Sequence, residues 1–247
     1  MKLLLDLGNS RFKWALLDGD VIGDMQVSDY NQHASSDTVS ALLQTLPLNQ
    51  VDEIHSVSVL NEAFNAELNN SLKQLPNKSV YFYFSHKEKF GVSLAYETPA
   101  DYGADRYAGL IAAHHMFQGD KIIIDCGTAV TIDAIDVRGK HLGGLILPGE
   151  HMMRDSLVEN TQRIFYQDSV KDPAYLNAST PDAVLAGAAL GLRHGVWGIV
   201  NEIRQKLNQH IVVITGGNAQ RLYHPAYEPY HKCPALVLEG LKIMVNF

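Results

Sequence analysis

The stretches LLLDLGNSRFKWALLDGD, residues 3–20, and IIIDCGTAVTIDAIDVRGK, residues 122–140, are two versions of one pattern. Each begins with three apolar residues and an aspartate, has a glycine two positions later, and continues through small residues into a second strand-like run. This pattern predicts a strand, a tight turn and a second strand. Because the pattern occurs twice, the sequence predicts two similar halves within one chain.

The segments after each copy follow the same order, with three strands first and then alternating helices and strands. Predicted strands cover residues 2–6, 11–18, 20–27, 54–60, 80–84, 121–125, 130–137, 141–147 and 211–215. Predicted helices cover residues 37–46, 61–75, 103–117, 150–159, 181–207 and 235–246. The order favours an α/β fold with duplicated halves at residues 1–117 and 118–247.

Composition excludes several classes of protein. The chain has 247 residues, a formal net charge of −7 and a pI of about 5.8, which argues against a general nucleic-acid-binding surface. Cys126 and Cys233 are far apart and have no metal-ligand spacing, so a reducing compartment is expected. Asp6 interrupts the first apolar run too early for a signal peptide. With no run of 18 uncharged apolar residues, we expect a cytoplasmic protein without a membrane partner.

The two Asp-Gly turns suggest phosphate chemistry. Backbone N–H groups of such a turn can surround phosphate oxygens, and glycine lets the backbone come close. The aspartate would repel phosphate, so it would have to act through a cation or a water molecule. Alternatively, each aspartate only caps its own turn. Two equivalent turns, one in each half, can face each other across a cleft.

Several further stretches complete a pattern that resembles a known family. They are DLGNSRFK at 6–13, YGADR at 102–106, DCGTAVTID at 125–133, GGLILPG at 143–149, MRDSL at 153–157, ITGGNAQRL at 214–222 and LVLEGL at 236–241. In order and spacing they resemble the type III pantothenate kinases of the actin, sugar kinase and heat-shock-protein ATPase superfamily. The resemblance extends over nearly the whole chain.

This resemblance implies two actin-like (ribonuclease-H-like) halves with a central cleft. The first half would carry the first phosphate loop and the catalytic helix, and the second half the second phosphate loop and the adenosine loop. The implied reaction transfers the ATP γ-phosphoryl group to pantothenate, giving 4′-phosphopantothenate in the first step of coenzyme A biosynthesis. The resemblance also implies Mg²⁺, a monovalent cation (K⁺ or NH₄⁺) and a homodimer.

The same resemblance implies the roles of individual residues. Asp105 would be the catalytic base, and Asp125 would bind the monovalent cation. The implied pantothenate contacts are Tyr96, Gly103, Ala104, Asp105, Arg106 and Thr180. The implied ATP contacts are Asp6, Leu7, Gly8, Asn9, Ser10, Arg11, Phe12, Lys13 and Thr128, with Asp6 organising Mg²⁺ through water.

Some of these residues also have a structural interpretation. Asp105 lies in the first turn of a predicted helix, where the helix dipole stabilises a carboxylate. Lys13 and Arg11 share one face of the second strand, so Lys13 either reaches an ATP phosphate or lies in solvent. Tyr96 fits an ordinary loop tyrosine. Thr180 precedes Pro181 and Asp182, which predicts Thr180 as a helix N-cap.

Two glycine-containing segments have alternative interpretations. The TGG sequence at 215–217 either lies flat against an adenine ring or forms a simple strand-to-helix turn. Gly187, Gly191 and Gly195 recur every four residues and remove the side chains from one helix face. That face either packs within the subunit or lies at or near the dimer contact.

Two other functions remain compatible with this fold. A relative without catalytic activity could bind nucleotide and act as a regulator, although such a protein need not retain Asp105, Asp125 and Gly127 together. A mechanical ATPase of the actin or chaperone type would need large insertions, for which this chain is too short.

Overall fold

The computed structural model describes residues 1–30, 38–166, 174–207 and 210–247. Contacts between residues divide the chain into two compact units. The first unit contains Met1–Met116, Arg138–His141 and Ala235–Phe247, and the second contains Phe117–Val137 and Leu142–Pro234. Asp37, the first residue of the helix predicted over 37–46, lies outside the described residues.

Strands and helices alternate as the sequence predicts. Up to residue 116 they are β1 (Lys2–Leu7), β2 (Arg11–Asp18), β3 (Val21–Ile22), β4 (Gln26–Asp29), α1 (Thr38–Thr45), β5 (Glu53–Ser58), α2 (Glu62–Lys73), β6 (Ser79–Phe82), β7 (Glu88–Lys89), β8 (Val92–Ser93) and α3 (Ala104–Met116). The remaining ones are β9 (Asp120–Cys126), β10 (Ala129–Ile135), β11 (His141–Pro148), α4 (Glu150–Glu159), α5 (Thr180–Arg204), β12 (His210–Thr215), β13 (His231–Lys232) and α6 (Leu236–Asn246).

The main sheet of the first unit has the strand order β3-β2-β1-β5-β6, and β4 also pairs with β2. β1 is antiparallel to β2 and parallel to β5. The strand predicted over 20–27 is interrupted, and the chain forms β3 and β4 there, both of which pair antiparallel with β2. The Gly23 N–H donates to the Leu16 carbonyl at 2.9 Å, which continues the pairing of β3 with β2. Between β3 and β4 the register with β2 shifts by one residue, which is typical of a β-bulge.

β1 is the central strand of this sheet, and every residue after Lys2 is buried. Leu3, Leu5 and Leu7 join the apolar core formed with residues of α1 and α2. Helix α6 contacts β1 as well, and it packs closely against α3. A Cβ atom at Gly240 would collide with the Ala108 carbonyl oxygen, so glycine allows α6 to lie directly on α3.

The sheet of the second unit has the order β11-β10-β9-β12-β13. β9 is antiparallel to β10 and parallel to β12, which repeats the arrangement of β1 between β2 and β5. The two sheets are therefore two similar halves, as the repeated sequence pattern predicts. The predicted boundary at residues 117 and 118 stays a prediction, since α6 and residues 138–141 pack with the first unit.

Helix α5 supplies much of the second unit's core. Val196, Trp197 and Val200 are fully buried against β9 and β12, and the Trp197 indole N–H donates to the Leu222 carbonyl at 2.9 Å. By length and composition alone α5 could cross a membrane, but 44% of its most apolar 18-residue stretch is buried inside the protein. These contacts make α5 a core helix of its unit.

Candidate functional site

The predicted first phosphate loop, residues 8–11, is a tight turn between β1 and β2. Leu7 pairs with Phe12, and the Gly8 N–H donates to the Arg11 carbonyl at 3.1 Å. A Cβ atom at Gly8 would lie 3.0 Å from that carbonyl oxygen. Any larger residue would have to push this carbonyl back slightly, so glycine favours the tight turn.

Asp6 lies at the base of this turn and is only 5% exposed. Its cross-strand partner is Lys13, whose ammonium donates to the Asp6 carboxylate at 3.4 Å. Burial raises the pKa of Asp6, and the nearby Lys13 ammonium opposes that increase. Lys13 thus points toward Asp6 and is only 16% exposed, so its solvated interpretation is wrong. Arg11 instead pairs at the surface with Asp29, at 3.3 Å.

The second phosphate loop repeats the first with one residue fewer. Cys126 pairs with Val130 across a three-residue loop, whereas the loop between Leu7 and Phe12 has four residues. The Gly127 N–H donates to the Ala129 carbonyl at 3.0 Å, as Gly8 does to Arg11. Asp125 therefore occupies in β9 the position that Asp6 occupies in β1.

Two other segments lie directly against the second loop. Gly216 has φ +97°, and a Cβ atom there would collide with the Cys126 carbonyl oxygen and lie 2.5 Å from the Asp125 carboxylate. Asn218 donates from its backbone N–H to the Cys126 carbonyl at 2.9 Å and from its side chain to the Gly127 carbonyl at 3.0 Å. The TGG segment is therefore fastened onto the second phosphate loop.

Helix α4 begins against the same loop. A Cβ atom at Gly149 would collide with the Thr128 carbonyl oxygen, and the next residue, Glu150, is buried. The Glu150 carboxylate lies 3.1 Å from the Arg221 guanidinium.

Burial, followed by the charges of Asp125 and Glu150, raises the pKa of the Cys126 thiol to about 12. Cys126 is therefore a protonated packing residue rather than a nucleophile.

Asp105 lies in the first turn of α3. Its Oδ1 atom accepts a hydrogen bond from the Arg106 backbone N–H at 2.7 Å. A Cβ atom at Gly103 would lie 2.6 Å from the same oxygen, so any larger residue at 103 would displace the carboxylate. The helix N-terminus and the glycine together fix the orientation of Asp105.

Arg106 directly follows Asp105. Its guanidinium and the Tyr96 ring belong to one cluster of aromatic side chains. The Arg106 guanidinium lies 4.4 Å from the centre of the Tyr102 ring and 6.0 Å from that of Tyr96. The Tyr96 and Tyr102 rings meet edge to face at 4.9 Å, and buried His141 contacts both rings. The structure thus brings together two predicted pantothenate contacts that are ten positions apart in sequence.

Val59 joins this segment to the first phosphate loop. Its N–H donates to the Leu7 carbonyl at 3.1 Å, and its side chain lies 3.6 Å from the position of a Cβ atom on Gly103. The turn that carries Asp105 therefore lies beside the loop that carries Asp6, within the first unit.

Thr180 is not the helix N-cap that the sequence predicts. Ser179 is the N-cap of α5, and its hydroxyl accepts the Asp182 N–H at 3.3 Å and donates to the Asp182 carboxylate at 2.6 Å. The helix consequently begins one residue earlier than predicted, with Thr180 at its first position and Pro181 at its second. Within the described residues, no hydrogen bond joins Thr180 to the second phosphate loop.

Several residues of these clusters were not predicted from sequence. Tyr102 and His141 complete the ring cluster, and Glu150, Asn218 and Arg221 surround the second loop. Tyr102, Asn218 and Arg221 lie inside the quoted family stretches, and Glu150 directly follows one. Their positions within or next to these stretches could therefore have identified them from the sequence as residues near the loops.

The donor set suits a cation held partly by other ligands. Among the described residues, no group of three or more His, Cys, Asp or Glu side chains could by itself hold a metal ion. Mg²⁺ in phosphoryl-transfer sites takes most of its ligands from water and phosphate, and one or two carboxylates complete its shell. Asp6, in the first unit, fits that limited role.

Similarity to known proteins agrees with this geometry. The family model described as type III pantothenate kinase matches residues 2–202. A type III pantothenate kinase of Alcanivorax borkumensis is 34% identical and covers 98% of this chain and 97% of its own length.

Two solved structures share the fold. A Campylobacter jejuni protein, named for a Baf family of transcriptional activators, has a TM-score of 0.59 at 23% identity and covers 99% of this chain and 97% of its own. A Sinorhizobium meliloti protein, named for 2-dehydro-3-deoxygalactonokinase, has a TM-score of 0.54 at 13% identity, with coverages of 99% and 97%. These structures show an actin-like fold, and the family model and the Alcanivorax relative show that the chain belongs to the type III pantothenate kinase family.

Proposed function

We propose that this chain phosphorylates pantothenate with ATP and that Asp105 is the general base of the reaction. The observation that carries the assignment is the fixed carboxylate of Asp105 at the start of α3, oriented by the Arg106 N–H. It lies beside the first phosphate loop, to which Val59 connects it. Phosphoryl transfer depends mainly on positioning, charge neutralisation and a base near the attacking hydroxyl.

In this mechanism the Asp105 carboxylate accepts the proton of the pantothenate 4′-hydroxyl. The hydroxyl oxygen forms a bond to the γ-phosphorus, while the bond from that phosphorus to the bridging oxygen of ADP breaks. Gly103 and Ala104 leave room for the substrate next to the base. Arg106 pairs with the pantothenate carboxylate, and the rings of Tyr96 and Tyr102 hold its guanidinium in place.

We assign ATP phosphate contacts to residues 6–13 in the first unit and to Thr128 in the second unit. Mg²⁺, when bound, neutralises charge on the phosphates. Asp6 would hold that ion through water, and the Lys13 ammonium at 3.4 Å orients the Asp6 carboxylate. The TGG segment, fastened onto the second loop by Asn218, receives the adenosine. Thr180 contacts pantothenate in this proposal, and capping of α5 by Ser179 leaves the Thr180 hydroxyl available for that contact.

Asp125 binds a monovalent cation, K⁺ or NH₄⁺, in the second loop. Its carboxylate is half-buried and directly follows three buried isoleucines near the end of β9. Gly216 brings the backbone of a neighbouring loop within reach of the same carboxylate. Carbonyl and carboxylate oxygens are suitable ligands for such a hard cation.

The proposed protein is a cytoplasmic homodimer that has no nucleic-acid or membrane partner. Apolar side chains are exposed on the consecutive elements β11 and α4, namely Leu142, Leu145, Ile146, Met152, Leu157 and Val158. Exposed apolar groups of this kind commonly mark contact surfaces between proteins. On α5, a Cβ atom at Gly187, Gly191 or Gly195 would meet nothing within 4 Å, so the glycine face is also open to a second chain.

Asp105→Asn should lower kcat by about 100- to 10,000-fold, because general-base catalysis typically contributes that much. The Asn Oδ1 atom can still accept the Arg106 N–H, so the fold should persist. Glu62→Gln is the matched control, since it removes a first-turn carboxylate from α2. Steady-state kinetics should show normal kcat for the control. If Asp105→Asn keeps more than about a third of kcat, Asp105 is not the base.

Activity should be higher in K⁺ or NH₄⁺ than in Na⁺ or tetramethylammonium. Asp125→Asn should reduce that response, because the charge of the cation ligand is lost. Asp120→Asn, at the other end of β9, should leave the response intact. Initial rates measured at constant ionic strength in the four salts test this assignment. Equal wild-type rates in all four would show that no monovalent cation is required.

Light scattering should give the mass of two chains for the wild type. Ile146→Glu should shift the protein toward one chain, because it places a charge at a side chain that is 64% exposed on β11. Val21→Glu alters a similarly exposed valine on β3 and should leave the dimer unchanged. A wild-type monomer would contradict the homodimer, and a dimeric Ile146→Glu variant would place its contact elsewhere.

A further inference from the structure

A separate cavity of about 360 Å³ lies in the first unit, between helix α2 and strand β6 at the edge of the sheet. Its volume is in the range typical of small-molecule sites, about 300 to 1,000 Å³. The lining residues are Ser58, Asn65, Ala66, Asn69, Lys73, Val80, Phe82, Tyr83 and Phe84. None of these residues has a role in the proposed kinase reaction.

One wall of the cavity is a polar row on α2. Asn65, Asn69 and Lys73 are spaced four residues apart and therefore lie on one helix face. Asn65 is already engaged, since its Oδ1 accepts the Ser58 hydroxyl at 2.6 Å and its Nδ2 donates to the Leu60 carbonyl at 2.9 Å. In the described ranges, the side chains of Asn69 and Lys73 have no hydrogen-bond or ion-pair partner. The row thus offers an amide and a cation to a ligand.

The opposite wall is apolar. Val80 and Phe82 lie on the same face of β6 and are partly buried against the core. Phe84, just beyond the strand, is 65% exposed. Exposed aromatic rings beside a cavity provide a surface for the planar or branched apolar part of a ligand.

From these two walls we infer that the cavity binds a small amphipathic anion. A carboxylate, sulfonate or phosphate group would contact Lys73 and Asn69, and an apolar body would lie on Phe82 and Phe84. The lining contains Lys73 and no aspartate or glutamate, so its charge favours an anion over a cation. Lys73 is exposed and Asn69 is half-buried, so both can meet the polar group of a ligand at the mouth of the cavity, whereas a purely apolar ligand would use only the aromatic wall.

The cavity ends next to the first phosphate loop without including any residue of that loop. Ser58 is the last residue of β5, and the following residue, Val59, donates to the Leu7 carbonyl. The inference does not depend on the proposed kinase function, because it concerns a different set of side chains. Binding is therefore measured without nucleotide or pantothenate.

The probe is 8-anilinonaphthalene-1-sulfonate, an aromatic sulfonate whose fluorescence increases on transfer from water to an apolar site. Titration of the full-length wild type should show saturable binding at one site. Lys73→Ala should weaken the affinity about tenfold, because it removes a charged hydrogen-bond donor. Ala66→Trp should abolish binding by filling the cavity from an exposed helix position. Thermal melts should confirm that both variants fold.

Lys206→Ala is the control, because it removes one exposed lysine from the other unit and should leave the affinity unchanged. The inference is overturned if the wild type does not bind the probe, or if Lys73→Ala and Ala66→Trp bind it as the wild type does. It is also overturned if Lys206→Ala weakens binding as much as Lys73→Ala. Competitive displacement of the probe by ATP or pantothenate would assign the cavity to the reaction site instead.

Discussion

Each half has a tight turn that follows an aspartate, and backbone atoms pack very closely at that turn. The structure of each half depends on this close packing. Asp6 and Asp125 each lie near the end of a central strand, and each is followed by a glycine that closes a tight hairpin. In the second unit, Gly216 and Gly149 also bring two further segments against the turn. A side chain at either position would push its segment away, so small residues set the geometry of the loop.

Much of the fold follows from local sequence patterns. The apolar runs at Leu3–Leu5 and Ile122–Ile124 predict buried strands, and the glycine spacing predicts the hairpins that the structure contains. The first-turn position of Asp105 also follows from its sequence. These features are predictable because strand alternation, tight turns and helix starts depend on residues within a few positions of one another.

The features that the sequence did not predict are of two kinds. Some depend on contacts between distant segments, and one depends on which of two adjacent residues caps a helix. Lys13 faces Asp6 because the hairpin register places the two residues opposite each other. The alternation of side chains along β2 predicts the face on which Lys13 lies, but it does not predict which residue Lys13 contacts. His141 reaches Tyr96 and Tyr102 from 39 or more positions away. Ser179 and Thr180 are both good caps, and only the structure shows that Ser179 takes the position.

The central claim is that the Asp105 turn and the phosphate loops transfer a phosphoryl group to pantothenate. The most direct measurement is mass spectrometry of the products formed by purified protein with ATP, Mg²⁺ and pantothenate. The account predicts pantothenate carrying one added phosphoryl group, formed in equal amount with ADP, and no ATP consumption when pantothenate is omitted. ATP consumption independent of pantothenate, or ADP formation without the phosphorylated product, would contradict it.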